Sequence, residues 1–310
     1  MNRPKTVSDR NTARGSSRIK SIIERKTTME KIGILIDSTT LTRPDIANRS
    51  FVKVADLKVI LDGEEFEEHQ LSKEVMLEKL HTVKKMATSQ PAPGKFLEKM
   101  EEFHQEGYTH VLVITLSREI SGTYQAAMIA RSMVEFPMEI VVRSPQVASF
   151  GVALGTAILC DMVEQGAAFS DVVLRYESLF RDATLMFTLT NLMNLFRGGR
   201  LGIVSALLGT ILHIKPIIEM RGGKLELAKR ERTNNGCLEH FIAKIRAFAE
   251  THKTIWVDVI QINRPEWGEK LVEAVKSLIP QAILRVTDYL SPVFYSHLGD
   301  QGFGFAILGE

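Results

Sequence analysis

The chain has two cysteines in 310 residues, Cys160 and Cys237, far apart and each inside an apolar helical pattern. That excludes a disulfide framework and a C-x-x-C zinc site, and it fits a reducing compartment. Long apolar runs are missing too. No stretch of 18 apolar residues exists, and the nearest, Val147 to Val163, is interrupted by Asp161, so no membrane span is expected. The first residues lack an apolar core of the secretory type, so no signal peptide is expected and the reading is cytoplasmic. No G-x-x-x-x-G-K-[ST] loop is present, which excludes a P-loop nucleotide site. No G-x-S-x-G elbow surrounds any serine. The eight histidines show no H-E-x-x-H or similar spacing, so no metal site is expected. Asp37 follows an apolar strand as in aspartyl-phosphate enzymes, but Thr39 stands where those usually carry a second Asp, which sets that chemistry aside.

What is there reads as an ordinary globular protein, with 45% apolar and 25% charged residues and length for about two domains. The charge is uneven. Residues 1–28 hold eight basic and two acidic residues, a net of +6, and the remainder carries 31 basic and 35 acidic residues, a net of −4. The basic character therefore belongs to a Ser/Thr/Arg-rich tail, expected to be disordered. The mildly acidic remainder argues against nucleic acid as a partner. The tail suits transient contact with an anionic membrane surface. Two α/β domains are expected, at 29–175 and 176–310.

The chain is organised around Val111 to Met133. Val111 to Leu116 is a β-branched apolar run, expected as a buried strand. Ser121-Gly122-Thr123 opens a helix with Ala126, Ala127, Ile129, Ala130 and Met133 on its apolar side. Ser121 and Thr123 are candidate caps, and Gly122 permits close approach of a ligand to a helix N-terminus that favours anions. Strands are expected at 31–36, 52–61, 138–142, 183–189, 214–220, 224–228, 254–262, 282–287, 293–297 and 302–308. Helices are expected from Ser72 to Thr82, from Pro93 to Gly107, from Ser149 to Gly166, after Ser170-Asp171, and at 191–196, 204–212, 235–252 and 266–278. Thr88-Ser89-Gln90-Pro91-Ala92-Pro93 is read as loop. Alternating strands and helices indicate the α/β class, with ligands at the carboxyl ends of strands.

Several hydroxyl-rich loops stand at such strand ends: Asp37 to Thr40, Thr88-Ser89 and Ser121 to Thr123. Arg200 follows a Gly-Gly turn, Arg230 and Arg232 follow a hairpin, and His297 lies near the end. Hydroxyls with a cation suit a carboxylate or phosphate. The plain alternatives are a capping serine, solvated arginines and a satisfied core histidine. A Ser121–His297 nucleophile pair, as in a small serine hydrolase or acyltransferase, is a second reading. A regulator closing on a small anion is a third.

The ordered set Asp37-Ser38-Thr39, Thr88-Ser89-Gln90-Pro91, Ser121-Gly122-Thr123-Tyr124, Phe196-Arg197-Gly198-Gly199-Arg200-Leu201, Ile214-Lys215-Pro216-Ile217 and His297 resembles the DegV family, over about residues 31 to 310. The resemblance implies two α/β domains with a lipid pocket between them. It implies a non-catalytic subunit that buries a long-chain fatty acid such as palmitate, with no tightly bound cofactor. Such a subunit presents the carboxyl group to a separate ATP-dependent fatty acid kinase subunit, and the acyl phosphate feeds phospholipid synthesis. Carried over by motif, Thr88, Ser121, Gly122 and His297 would hold the carboxylate. Arg200 and Arg230 would face the phosphate or the kinase, and Ser38 would belong to the head-group loop. The family's T-H-T-G-P-G is Ser296-His297-Leu298-Gly299-Asp300-Gln301 here, and its S-M-G-x-G is Ser149-Phe150-Gly151-Val152-Ala153, so the pocket wall at Phe150 and the loop at Asp300 differ.

Overall fold

A computed structural model describes residues 30–40, 44–200 and 214–310. The basic tail and the helix expected at 204–212 lie outside the described residues. The α/β class holds. A parallel sheet of order β2-β1-β6-β7 joins β1 (Ile32–Asp37), β2 (Val52–Ala55), β6 (His110–Ile114) and β7 (Glu139–Arg143). Alternate residues of its strands face two cores, as the period of two requires. Ile34, Ile36, Leu112 and Ile114 face one, and Leu35, Val111 and Val113 the other. The second core is closed by Phe96, Met100 and Phe103 of α3 (Pro93–Gln105) and by Ala126, Ala127 and Ala130 of α4 (Thr123–Ser132). Coverage on both faces is why these strands are apolar throughout.

Between β2 and β6 the chain forms a small antiparallel sheet of order β4-β3-β5 and one helix. The strands are β3 (Lys58–Leu61), β4 (Glu64–Glu67) and β5 (Met86–Ser89), and α2 (Lys73–Thr82) separates the last two. Ser72 caps α2 as expected, its hydroxyl accepting from Val75 N at 3.3 Å. Two expectations are corrected here. The single strand read at 52–61 is β2 and β3, in different sheets. Thr88 and Ser89, read as loop, end β5 through pairing with β3.

The second half is a six-stranded sheet of order β10-β9-β8-β13-β11-β12. Its strands are β8 (Thr184–Leu189), β9 (Lys215–Arg221), β10 (Lys224–Glu231), β11 (Ile255–Ile262), β12 (Ile283–Thr287) and β13 (Gly302–Gly309). All pairings are antiparallel except β11 with β12. One face, with Val257, Val259, Phe303 and Phe305, is covered by α8 (Asn234–Ala249) and α9 (Pro265–Leu278). The other face, with Leu185, Phe187, Leu189 and Ile260, shares a continuous core with the parallel sheet.

The element in the middle of that shared core is α5 (Phe150–Glu164), followed by α6 (Phe169–Phe180). Leu154, Ala157, Leu159 and Cys160 of α5 are buried, and its apolar residues run round the whole helix rather than along one stripe. Such a helix belongs in an interior, which accounts for the apolar stretch noted at 147–163. The cap expected from Ser170-Asp171 is not formed, because α6 begins at Phe169 with Ala168 at its N-cap. Among the described residues no helix is long and apolar enough to cross a membrane. Three shorter helices remain: α1 (Pro44–Ala47), α7 (Met193–Arg197) and α10 (Pro292–Leu298). The last corrects a third expectation, since 293–297 was read as a strand. Val293, Phe294 and Tyr295 favour strands, but Pro292 at the first helical position and burial of this segment against the core decide for helix.

Candidate functional site

The carboxyl end of β1 starts a buried polar cluster. Asp37 Oδ1 accepts from Thr39 N at 3.0 Å and from Thr39 Oγ1 at 2.5 Å, and Oδ2 accepts from Leu116 N at 2.6 Å. These bonds tie the end of β1 to the end of β6. Burial pushes the Asp37 carboxyl up to about 6 against these bonds. Ser38 Oγ accepts from Leu57 N at 2.9 Å and donates to the Glu68 carboxylate. Glu68 also accepts, through Oε1, from Val293 N in the first turn of α10 at 2.8 Å. Burial, together with the nearby Asp37 charge, pushes Glu68 up to about 7.

The other end of α10 carries His297. Its Nε2 is hydrogen-bonded to Thr88 Oγ1 at 2.8 Å, which joins β5 to the end of α10. Burial, and then the Arg200 charge, push the imidazole down to about 4, so the ring is neutral at neutral pH. Its Nδ1 is buried and has no hydrogen-bond partner among the described residues. Gly198, just after α7, lies against that nitrogen. A Cβ at position 198 would stand 2.3 Å from Nδ1, so only glycine leaves the ring in place. Arg200 donates to Gly198 O at 2.5 Å through Nη1, and through Nε to Ile120 O at 3.4 Å. Arg200 thus bridges the His297 side of the cluster to the loop before Ser121.

That loop opens α4. Gly122 is the N-cap residue and makes no side-chain cap. The capping expected of Ser121 or Thr123 is therefore replaced by a bond between their hydroxyls at 2.9 Å, with Thr123 N donating to Ser121 Oγ at 3.4 Å. The Gln90 amide lies over Gly122, where a Cβ would meet Gln90 Oε1 at 2.3 Å. Gln90 thereby brings the loop after β5 onto the start of α4. Thr88, Ser121, Gly122, His297 and Arg200 are brought together, each touching the next directly or through one neighbour.

Two candidates stand apart. Ser38 is buried and fully engaged with Glu68 and Leu57. Arg230 is exposed on the edge strand β10, opposite Pro216. The Ser–His pair of the hydrolase reading has no hydrogen bond, since Ser121 Oγ is paired with Thr123 and His297 Nε2 with Thr88. Glu68 and Gln90 escaped the sequence reading as individual site residues. Gln90 sits inside a quoted motif. Glu68 lies in an acidic stretch, Glu64 to Glu68, that reads as a solvated face.

Behind the polar cluster is an apolar cavity with no charged residue in its wall. Its floor is the inner face of the six-stranded sheet, with Phe187, Leu189 and Ile260. Its roof is Phe150 of α5 with Phe294 and Leu298 of α10. Ile120 and Leu298 line it and are the chain neighbours of Ser121 and His297, which places the polar cluster at one end. Among the described residues no group of three or more His, Cys, Asp or Glu is arranged to hold a metal ion.

Comparison with known proteins agrees with this architecture. The family described as "Uncharacterised protein, DegV family" matches residues 31–310. A DegV domain-containing protein of Halalkalibacterium halodurans is 31% identical over 280 residues, covering 90% of this chain and 98% of that protein. Among solved structures, a fatty acid binding DegV family protein of Streptococcus agalactiae superposes with a TM-score of 0.83 at 23% identity, covering 91% of this chain and 99% of that one. A DegV family protein of Thermus thermophilus, described by its fatty acid binding, has a TM-score of 0.77 at 29% identity, covering 90% and 100%. The fatty acid kinase B3 protein of Streptococcus pneumoniae, loaded with linoleic acid, has a TM-score of 0.78 at 20% identity, covering 90% and 99%. With the match running through all three sheets and every element of the polar cluster, the chain belongs to the DegV family.

Proposed function

We propose that this chain binds a long-chain fatty acid in the apolar cavity and presents its carboxyl group to a separate ATP-dependent kinase subunit for phosphorylation to an acyl phosphate. The observation that carries the reading is the meeting of an uncharged apolar cavity with one polar cluster at its end. Each buried CH₂ contributes ~0.8 kcal/mol, so a palmitate-length tail gains on the order of 10 kcal/mol before the costs of binding. The head group then needs few contacts. Thr88 and Ser121 supply hydroxyls, Gly122 an uncapped helix start, neutral His297 one ring N–H, and Arg200 a fixed positive charge.

Presentation to a kinase is supported by the neighbour from Streptococcus pneumoniae that is described as a fatty acid kinase B3 protein. In this reading Arg200 faces the incoming phosphate and exposed Arg230 faces the partner, Ser38 acts only as a support, and the two units suggested at 29–175 and 176–310 enclose the lipid. The site works in the cytoplasm without a metal or cofactor of its own. The test is native mass spectrometry of the purified protein followed by organic extraction. One fatty acid per chain, depleted in the Thr88→Ala/Ser121→Ala double variant, is the expected result. A protein that carries no lipid and takes up no added fatty acid overturns the proposal.

A further inference from the structure

One buried carboxylate has no part in the reading above. Glu68 is 3% exposed and directly follows β4. Its two oxygens face donors from distant parts of the chain: Val293 N, 225 residues away, and the Ser38 hydroxyl, 30 residues away, with the Ser291 hydroxyl beside them. A carboxylate offers acceptors only, which matches these donors, whereas an amide would turn an NH₂ toward one of them. The bond to Val293 matters for α10. Ser291, its N-cap residue, gives it no side-chain cap, so Glu68 satisfies a first-turn N–H from outside the helix.

At the other end of α10 His297 meets Thr88 in β5. β4 and β5 are the two outer strands around β3 in the three-stranded sheet. That sheet therefore grips the seven residues of α10 at both ends, through Glu68 at the first turn and Thr88 at the last. The helix is about 10 Å long. A tilt of about 10° at its start would carry the imidazole by about 2 Å, enough to break the bond to Thr88.

We infer that Glu68 is a positioning residue for the carboxylate site: it anchors the first turn of α10 to the sheet that carries Thr88, and so sets His297 where the two can hold one head group together. The ligand in this statement rests on the fatty-acid reading, but the geometry does not.

The experiment compares wild type with Glu68→Gln, Glu68→Asp and Glu68→Ala in the full, delipidated chain. Two ligands with the same tail, palmitic acid and 1-hexadecanol, are titrated by displacement of a fluorescent fatty acid. The His297 side chain is followed by nitrogen NMR across pH without ligand. In Glu68→Gln the preference for the acid over the alcohol falls about tenfold, the alcohol's affinity stays within about twofold, and the His297 midpoint moves up toward its ordinary value. Glu68→Asp recovers part of the preference. Equal losses for acid and alcohol, or an unchanged acid preference, overturn the inference. If Glu68→Ala fails to fold, the Gln and Asp variants decide. If wild type binds neither lipid, the fatty-acid reading falls, and an unmoved His297 midpoint in Glu68→Gln then sinks the positioning role as well.

Discussion

The helix Pro292–Leu298 has a polar cluster at each end, and the two are built on opposite plans. At its start, Asp37, Ser38 and Glu68 are buried and their carboxylates are occupied by donors from three separate segments. At its end, among the described residues, His297 keeps a buried nitrogen without a partner, the first turn of α4 lacks a side-chain cap, and Arg200 is held by two carbonyls rather than by an acid. Buried carboxylates met by donors stabilise a fold, and an unpartnered imidazole nitrogen beside an apolar cavity is prepared for a ligand. The difference separates residues that hold the site from residues that use it.

The sharpest way to break this distinction is at Asp37. Asp37→Ala strands the amides of Thr39 and Leu116, and a loss of about 3 kcal/mol or more is expected from urea unfolding followed by circular dichroism. Gly198→Ala attacks the other cluster. Its methyl collides with the His297 ring, so about tenfold weaker fatty-acid binding is expected, with a stability loss of only about 1–2 kcal/mol. If stability drops as far as in Asp37→Ala, the two clusters are not built differently.

Acid–base behaviour separates them a third way, through opposite signs. Glu68 and Asp37 bind protons more tightly folded than unfolded, with pKa values raised to about 7 and about 6. Their contribution is complete below the ordinary carboxyl range and is lost as pH rises through those values. His297 has the reverse sign, lowered to about 4, so its contribution is complete above its ordinary value and is lost as pH falls through about 4. Between about pH 4 and 6 Asp37 and His297 nearly cancel, which leaves Glu68 as the visible slope. The titratable groups beside it are Asp37 and the Tyr289 phenol, which is neutral in this range. Urea melts at pH 5 and pH 8 are expected to show wild type losing stability on going up, and Glu68→Gln losing about 1 kcal/mol less. The smallest effect is expected at Arg230. Arg230→Ala should stay within about 0.5 kcal/mol of wild type and bind fatty acid unchanged, with any loss confined to phosphorylation in the presence of a kinase subunit.

Much of this was legible in the sequence because it is local. β1 and β6 announce themselves as apolar runs, and Ser72 opens α2 where a capping serine should. The order of the hydroxyl loops, Arg200 and His297 along the chain marks the five candidate residues that the fold brings together. What was not legible depends on distant partners. Val293, Phe294 and Tyr295 carry strand preferences that burial against α2, β3 and β5 overrides. The break between β2 and β3 at Asp56-Leu57 follows from Ser38 holding Leu57 N, not from anything in the ten residues themselves. Glu68 sits among exposed acids, and its function comes from a bond to a residue 225 positions away.

The place of β13 in the six-stranded sheet bears on how the protein is made. β13 lies between β8 and β11, with antiparallel neighbours on both sides, yet it leaves the ribosome after both of them. At about 5–20 residues per second, the parallel sheet can form many seconds earlier. β8 and β11 must wait with facing edges unpaired, and the cavity has no floor until Gly302–Gly309 slots in between them. The cavity is thus completed only after both flanking strands have been made, and a nascent chain stalled before β13 carries two unpaired edges, the form a chaperone would meet.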